Sequence, residues 1–467
     1  MPESFMEDLM RKQFPRLPLI LFTAGLFVFA VDPAWGQGTD ALVTPPPNVV
    51  LSNGNGVPVG PFGGLEGGAY VARVDDPSAA WFNPAGLSRA KTAQITGSAG
   101  LYQFTAVAPA SLPNPGSVLD QIPNLVGYSM RATQDCTAGF AIITSNSWNQ
   151  ETDSELILGA ASAGERFGYS ADAEFTRRNL NLSGGCERGR WRYGAGAVFS
   201  VTSLRLVDMV SDRASGPSGL RTLLLTSRKT GSSLQLRPVL GVQYDPSAGW
   251  HLGMVIRTPA ATLHRSGQYS ADGTLHLGAA SEGLSIFDNN AEFTYKVPWE
   301  FQVGVAYIGT RVQAEFDVQQ HTGLESYTLL GSSNPLIIYS DDGQAGTPTV
   351  QTRPFDGLSS AGRPITNVAA GGQYQLTKDH SYKLHVGFTT DRSPVQSSDE
   401  VFEQVNLNAW TIGLSGKASR LQFAAGFNFR NGESGEIRVR DLLNGEPVLT
   451  SIKVKTTALI YSLSYEF

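Results

Sequence analysis

Ala458-Leu459-Ile460-Tyr461-Ser462-Leu463-Ser464-Tyr465-Glu466-Phe467 is the stretch on which the fold turns. Leu459, Tyr461, Leu463, Tyr465 and Phe467 fall on one apolar, aromatic-rich face, and Ser462, Ser464 and Glu466 dominate the other. A period of two is a strand, and aromatics crowding its end suit a membrane–water boundary. Taken alone, the same pattern fits an amphipathic strand of a soluble sandwich. The rest of the chain separates the two readings.

Other segments alternate as cleanly. Leu421, Phe423, Ala425, Phe427 and Phe429 oppose Gln422, Ala424, Gly426, Asn428 and Arg430. Val312, Ala314, Phe316 and Val318 oppose Arg311, Gln313, Glu315 and Asp317, and Leu234, Leu236, Leu240, Val242 and Tyr244 oppose Gln235, Arg237 and Gln243. About fourteen strands emerge from such patterns: 92–107, 123–132, 136–147, 172–187, 190–207, 231–246, 249–269, 289–308, 311–321, 364–377, 381–391, 404–417, 420–431 and 452–467.

The links between them alternate in length. Thr133-Gln134-Asp135, Glu187-Arg188-Gly189, Pro246-Ser247-Ala248, Gly309-Thr310, Lys378-Asp379-His380 and Lys417-Ala418-Ser419 read as tight turns. Long links lie between them, around 108–122, 148–171, 208–230, 270–288, 322–363, 392–403 and 432–451. Short turns on one rim and long loops on the other mark an outer-membrane barrel with both termini on the short-turn, periplasmic side. A sandwich has no reason to segregate loop lengths. The expected fold is therefore all-β, a transmembrane antiparallel barrel over 91–467 with apolar groups facing lipid and polar groups facing the lumen.

The composition agrees. At 467 residues with 51 glycines and 16% charged residues, the chain is long for one soluble core, yet no linker divides it. A net charge of -6 offers no basic face for nucleic acid. Arg11, Lys12 and Arg16 precede the apolar run from Leu17 to Val31, and Ala34-Trp35-Gly36 supplies a small-x-small site. Residues 1–36 thus read as a signal peptide, with Met1 and Met10 both available as initiator. Beyond Gly36 no window reaches the ~20 apolar residues of a spanning helix. A closed barrel is the remaining way across a membrane, because all its backbone bonds are made between strands.

Residues 37–90 do not alternate. Pro45-Pro46-Pro47 and the glycine-rich run from Gly54 to Gly68 interrupt regular structure. In Asp75-Asp76-Pro77-Ser78-Ala79-Ala80-Trp81-Phe82-Asn83-Pro84-Ala85-Gly86-Leu87, Asp76 suits an N-cap and Pro77 the first helical position. Asn83 precedes Pro84 and must leave the helix. A helix of one to two turns over about 77–82 is expected, within a compact plug packed inside the barrel wall.

The stretch from Asp75 to Leu87 resembles the plug motif of the FadL/TodX-type outer-membrane transporters of long-chain fatty acids and aromatic hydrocarbons. Ile122-Pro123-Asn124, the stretch Asn179-Leu180-Asn181-Leu182-Ser183-Gly184, the run from Val386 to Val395 and the terminal strand are similar to segments of the same family. The resemblance runs in order along almost the whole chain after Gly36. It implies a fourteen-stranded barrel, an N-terminal hatch marked by Asn83, Pro84 and Ala85, and passive uptake of fatty acids or other lipophiles with lateral exit into the bilayer. A basic position of the family after the fifth strand falls on Asp208 here.

Moving a lipophile through an outer membrane is a desolvation problem. Each CH₂ exposed to water costs about 0.8 kcal/mol, so apolar capture loops and a greasy path are needed rather than a water-filled hole. Leu223-Leu224-Leu225, Leu329-Leu330 and Pro335-Leu336-Ile337-Ile338-Tyr339 are the loop candidates, with Leu336 and Ile337 as proposed ligand contacts. Arg257 is out of phase with Leu252, Met254 and Ile256 and so points into the lumen, to a ligand carboxylate or to a lumenal acid or the hatch. Arg205 is a second candidate of this kind.

Cys136 opens the third expected strand and Cys186 closes the fourth. An oxidising compartment permits a disulfide between them if the backbones approach closely enough. The six histidines form no metal-ligand cluster, no catalytic residues stand out, and no cofactor is expected. The expected partners are hydrophobic small molecules, outer-membrane lipid and lipopolysaccharide, and the barrel-assembly machinery through the C-terminal strand. A general polar porin is the alternative function, and an outer-membrane lipid enzyme a more distant one.

Overall fold

The structure is a computed structural model that describes residues 50–54, 57–107, 118–157, 166–216, 219–341, 343, 348–355, 357–377, 381–396, 401–434, 437–440, 447–450 and 453–467. Residues 1–49, which include the expected signal peptide, lie outside the described residues. Among the described residues, no helix is long and apolar enough to cross a membrane.

In chain order the strands are β1 (Gln94–Val107), β2 (Val118–Arg131), β3 (Cys136–Ile157), β4 (Arg166–Arg188), β5 (Trp191–Gly216), β6 (Gly219–Ser247) and β7 (Trp250–Arg257). Next come β8 (Ala261–Leu277), β9 (Ala280–Phe293), β10 (Glu300–Ile308), β11 (Val312–His321), β12 (Leu324–Gly331), β13 (Leu336–Asp341), β14 (Thr349–Arg353) and β15 (Leu358–Gly362). The remainder are β16 (Ile365–Gln375), β17 (Tyr382–Asp391), β18 (Val405–Ala418), β19 (Leu421–Ser434), β20 (Ile437–Arg440), β21 (Pro447–Thr450) and β22 (Lys453–Glu466).

Fourteen of these form one antiparallel ring, β1 to β7, then β10, β11, β16 to β19 and β22, which returns to β1. The C-terminal stretch from Ala458 to Phe467 closes it: β22 pairs with β1 from Gln94↔Glu466 to Val107↔Lys453 and with β19 on its other edge. Closure leaves the ring without an edge, the condition for backbone to cross hydrocarbon.

The faces are inverted relative to a soluble protein. Leu182, Leu240, Val303, Phe316, Trp410, Phe427 and Leu463 are exposed on the outside, while Asn181, Thr202, Gln243, Asp317, His385 and Asn428 are buried within. Aromatics gather near the short turns. Trp191 stacks on Tyr244 at 4.3 Å and Trp250 lies 5.4 Å from Tyr307, as in an interfacial girdle.

The strands depart from the expected ones in two ways. The segments 148–171, 208–230, 270–288 and 322–363, expected as loops, contain strand: β5 and β6 stay paired from Trp191↔Tyr244 out to Gly216↔Gly219, and 322–363 holds β12 to β15. These extensions stand beyond the apolar band, where one-sided greasiness is no longer required, so the pattern that located the spanning parts passed over them. The expected strand 249–269 divides at 258–260, and 289–308 divides at 294–299. Pro259 and Pro298 lie in the two interruptions, and neither has an N–H to give to a ladder.

Candidate functional site

The described residues between 50 and 90 lie inside the ring, most of them buried against its inner face. Their helix is a single turn, Ala79–Phe82, shorter than expected, and the carboxylate of Asp76 accepts from Ser78 N at 2.7 Å to hold its start. Asn83 then leaves in an extended conformation, as Pro84 demands, and a 3-10 turn, Pro84–Arg89, comes next. Trp81 is half-buried; Phe82, Ala85 and Leu87 are buried.

The Asn-Pro-Ala motif is fixed by backbone on both sides. Asn83 donates from Nδ2 to Val71 O at 2.9 Å and to Val242 O of β6 at 3.1 Å, and its Oδ1 accepts from Ala85 N at 3.1 Å. Opposite it, Gly185, Gly194 and Gly241 face one another across β4, β5 and β6. A methyl group on any of them would fall on Asn83, Pro84 or Ala85, so only glycine allows this approach.

Charges hold the segment to the opposite wall. Asp317 accepts from Tyr70 N at 3.0 Å and Val71 N at 3.3 Å, and Glu315 accepts from Ala72 N at 2.5 Å. Arg73 pairs with Glu66 and, at 3.0 Å, with Glu315. Glu66 also meets His385 Nδ1 at 2.6 Å, while Thr411 donates to Leu65 O at 2.7 Å. Burial pushes the carboxyl of Asp76 up to about 6, helped by the charge of Asp75 and opposed by its bonds to Ser78 and Tyr70.

Next to this segment is a cavity of about 160 Å³. Val57, Trp81, Phe82, Val297, Ile365 and Phe402 give it apolar walls. Its polar side gathers Arg177, Arg237, Arg257 and Glu300. Arg237 reaches Glu300 at 3.0 Å, and Arg257 binds the other Glu300 oxygen and the carbonyl of Trp81. Arg257 also lies 5.2 Å over the Trp81 ring. Gln319 donates to Glu300 at 2.8 Å. Arg177 makes no ion pair or side-chain hydrogen bond among the described residues, and its Nε is buried without a partner.

Of the candidates read from the sequence, Arg257 faces inward and lines the cavity, where it is engaged by Glu300 and the N-terminal segment. Arg205 does not. It points outward from β5 and pairs with Asp172 at 3.0 Å, because its neighbours Leu204 and Leu206 take the inward phase. Leu336 and Ile337 do not line the cavity either. They lie on β13, where Leu336 is buried in an apolar cluster with Leu329, Leu330 and Leu358. Asp208 pairs with Lys229 at 3.3 Å on the extended part of β5 and β6. Cys136 and Cys186 stand directly opposite on β3 and β4 and form a disulfide.

Arg177 and Glu300 escaped the sequence reading. Arg237 falls on the polar face of its strand, yet its partners, Glu300 and the carbonyls of Thr258 and Pro298, lie elsewhere in the wall. The only local signal for Arg177 was the inward phase it shares with Phe175 and Asn179.

No protein-family model and no curated protein matches the sequence. Solved structures do match. The chain is similar to the Pseudomonas putida toluene transporter TodX, at 12% identity and TM-score 0.54, over 89% of this chain and all of that one. A Pseudomonas aeruginosa FadL homologue matches at 14% identity and TM-score 0.53, over 91% of this chain and all of that one. The Ralstonia pickettii toluene transporter TbuX matches at 12% identity and TM-score 0.52, over 89% and 99%. With a closed fourteen-stranded ring surrounding an N-terminal segment with short helical turns, the chain has the FadL/TodX-type fold.

Proposed function

We propose that the protein is a passive outer-membrane transporter whose preferred cargo is a hydrophobic compound bearing one anionic group. Residues 37–90 act as the hatch, 91–467 as the barrel and 1–36 as the export signal. The outer face meets lipid and lipopolysaccharide, and β22 serves as the handle for barrel assembly.

The observation that carries the cargo is Arg177, a guanidinium with no ion pair or side-chain hydrogen bond of its own among the described residues, at a cavity with apolar walls whose one acid beside it, Glu300, is already engaged by Arg237 and Arg257. A buried charge calls for a partner, and a ligand carboxylate supplies it through charge-assisted hydrogen bonds. A cavity near 160 Å³ is of the size that holds a single aromatic ring. A ring or short chain carrying a carboxylate fits both features.

Sideways exit is supported by a parting in the wall. β2 pairs with β1 out to Val118 but with β3 only as far as Leu125↔Ile143, just before a bulge between Thr144 and Asn146. Ser145, at that bulge, lines the cavity. A polar porin is disfavoured by the segment packed across the bore.

Calorimetry with a 4-alkylbenzoate and its neutral alkylbenzene, on wild type and Arg177→Gln, tests this reading. The benzoate is expected to bind wild type at least tenfold more tightly than the variant, with alkylbenzene binding changed less than twofold. Uptake of both compounds by proteoliposomes must also exceed that by protein-free vesicles; no excess for either would end the transport reading.

A further inference from the structure

A second place in the wall is held by side chains rather than by a ladder. Between β9 and β10 the chain leaves the sheet over residues 294–299. On one flank β8 and β9 are paired only from Gly267↔Ala291 outward, while β7 and β10 are paired only from Arg257↔Glu300 inward. Among the described residues a single backbone bond, Ala260 N to Val297 O at 3.4 Å, crosses the gap. On the other flank Thr294 N reaches Leu329 O at 2.8 Å and Thr322 N reaches Trp299 O at 3.1 Å, with no backbone bond among the described residues between those two points.

Side chains take over what the ladder leaves. Gln235 donates to Tyr295 O, Arg237 donates to Pro298 O at 3.0 Å and to Thr258 O at 2.6 Å, and Lys296 N donates to the Tyr327 hydroxyl at 3.3 Å. Irregular backbone survives at membrane depth only when its polar groups are satisfied in this way. Tyr295, Lys296, Val297 and Pro298 all line the cavity. On the outside Leu263 and Trp299 are exposed beside the gap. Trp299 is eight residues along the strand from Tyr307, or about 20 Å along the barrel axis at the usual tilt, so the gap lies near the edge of the apolar band.

We propose that residues 294–299 are a movable panel, a second lateral opening between the cavity and the bilayer, separated from the β2–β3 parting by the strands β3 to β7. Arg237 is its latch, since the same guanidinium holds both sides of the gap. Glu300 connects that latch to the N-terminal segment: it binds Arg237 and Arg257, and Arg257 holds the carbonyl of Trp81. Displacement of residues 81–82 therefore frees Arg257 to compete for Glu300 and loosens the panel. The opening itself is a matter of geometry, but its use by cargo rests on the transport reading above.

Two measurements separate these. Val297→Cys, in proteoliposomes, is expected to react with a lipid-dissolved maleimide at least tenfold faster than Ala306→Cys, a comparably buried position within the β10 ladder. Equal rates would overturn the panel, whether or not the protein transports anything. Arg237→Lys, which keeps the charge but not the fork across the gap, is expected to raise the Val297→Cys rate a further threefold or more; an unchanged rate would remove the latch. Locking the panel through an oxidised Ala260→Cys/Val297→Cys pair is expected to cut cargo uptake at least tenfold, restored by reduction. Full uptake by the locked protein would show that cargo does not pass there, and absence of uptake by wild type would count against transport while leaving the labelling result in force.

Discussion

Asn83 and Val242 are 159 residues apart in the chain, and the amide of the first donates to the backbone carbonyl of the second at 3.1 Å. The bond joins the inner segment to a strand whose own lumenal face, at Gly241, has been stripped of its side chain to admit it. Fit of this kind is unforgiving on both sides.

Gly194→Ala places a methyl on the backbone at Pro84 and Ala85, which has no freedom to give way. Overpacking of this sort costs about 1–3 kcal/mol, here taken from docking of the inner segment. We expect limited proteolysis within 50–90 and a raised single-channel conductance in planar bilayers, while the heat-modifiable mobility of the barrel is kept. Gly97→Ala, on β1 with open space around it, should behave as wild type in both assays.

Asn83→Ala removes two donated bonds and one accepted bond at a fully buried position. The cost is about 2–4 kcal/mol, since the abandoned carbonyls and amide stay buried. Asn83→Asp retains the acceptor for Ala85 but sets a carboxylate against two carbonyls, and is expected to be worse. Hydrogen exchange of the amides of 79–90 should rank protection as wild type, then Asn83→Ala, then Asn83→Asp.

Asp76 gives the inner segment a pH dependence. Its folded pKa, about 6, stands above the ordinary 3.8, so the folded state favours the protonated form. The stabilisation is complete below pH 3.8 and is lost as pH rises to 6, with a span of about 3 kcal/mol at most. Amides around 76–86 should be better protected at pH 4.5 than at pH 7 after correction for intrinsic rates. Asp76→Asn, which keeps an oxygen for Ser78 N, should abolish that difference; a difference of the same size in the variant would assign it to another group.

The Cys136–Cys186 bond joins neighbours in register at the short-turn end of β3 and β4. Unreduced protein should show no reactive thiol after denaturation, and reduced protein two. The chain-entropy upper bound for a loop of this length is about 4 kcal/mol. The ladder already holds the two strands together in the folded state, so the Cys136→Ser/Cys186→Ser double variant should retain its fold and unfold at lower urea.

The barrel was legible because its signal is local and repeated. In β19 and β22 a period of two with one greasy face needs nothing but neighbouring residues to be seen, and tight turns fix the spacing. The inner segment was legible through Asp76, Asn83 and Pro84, whose backbone preferences act over one or two residues. The strand extensions were not, because beyond the apolar band Leu204, Leu206 and Val210 of β5 and Leu225 of β6 turn into buried apolar clusters, so the phase that marks lipid-facing strand no longer holds. Arg205 went wrong for a related reason: with Leu204 and Leu206 turned inward there, the greasy side no longer marks the outside.

The sequence by itself determined the architecture, the closing strand, the break at Asn83-Pro84 and the inward direction of Arg257, all set by phase and by residues next to one another, while Asn83 to Ala85 stood out as a motif only through the resemblance. Only the tertiary structure decided that Glu300 joins Arg237 to Arg257, that Arg177 is left over beside them, and that two stretches of wall lack a ladder. Those facts depend on which strand becomes whose neighbour when the ring closes, and pairing across a closed ring brings together charges and carbonyls that no periodicity along one strand records.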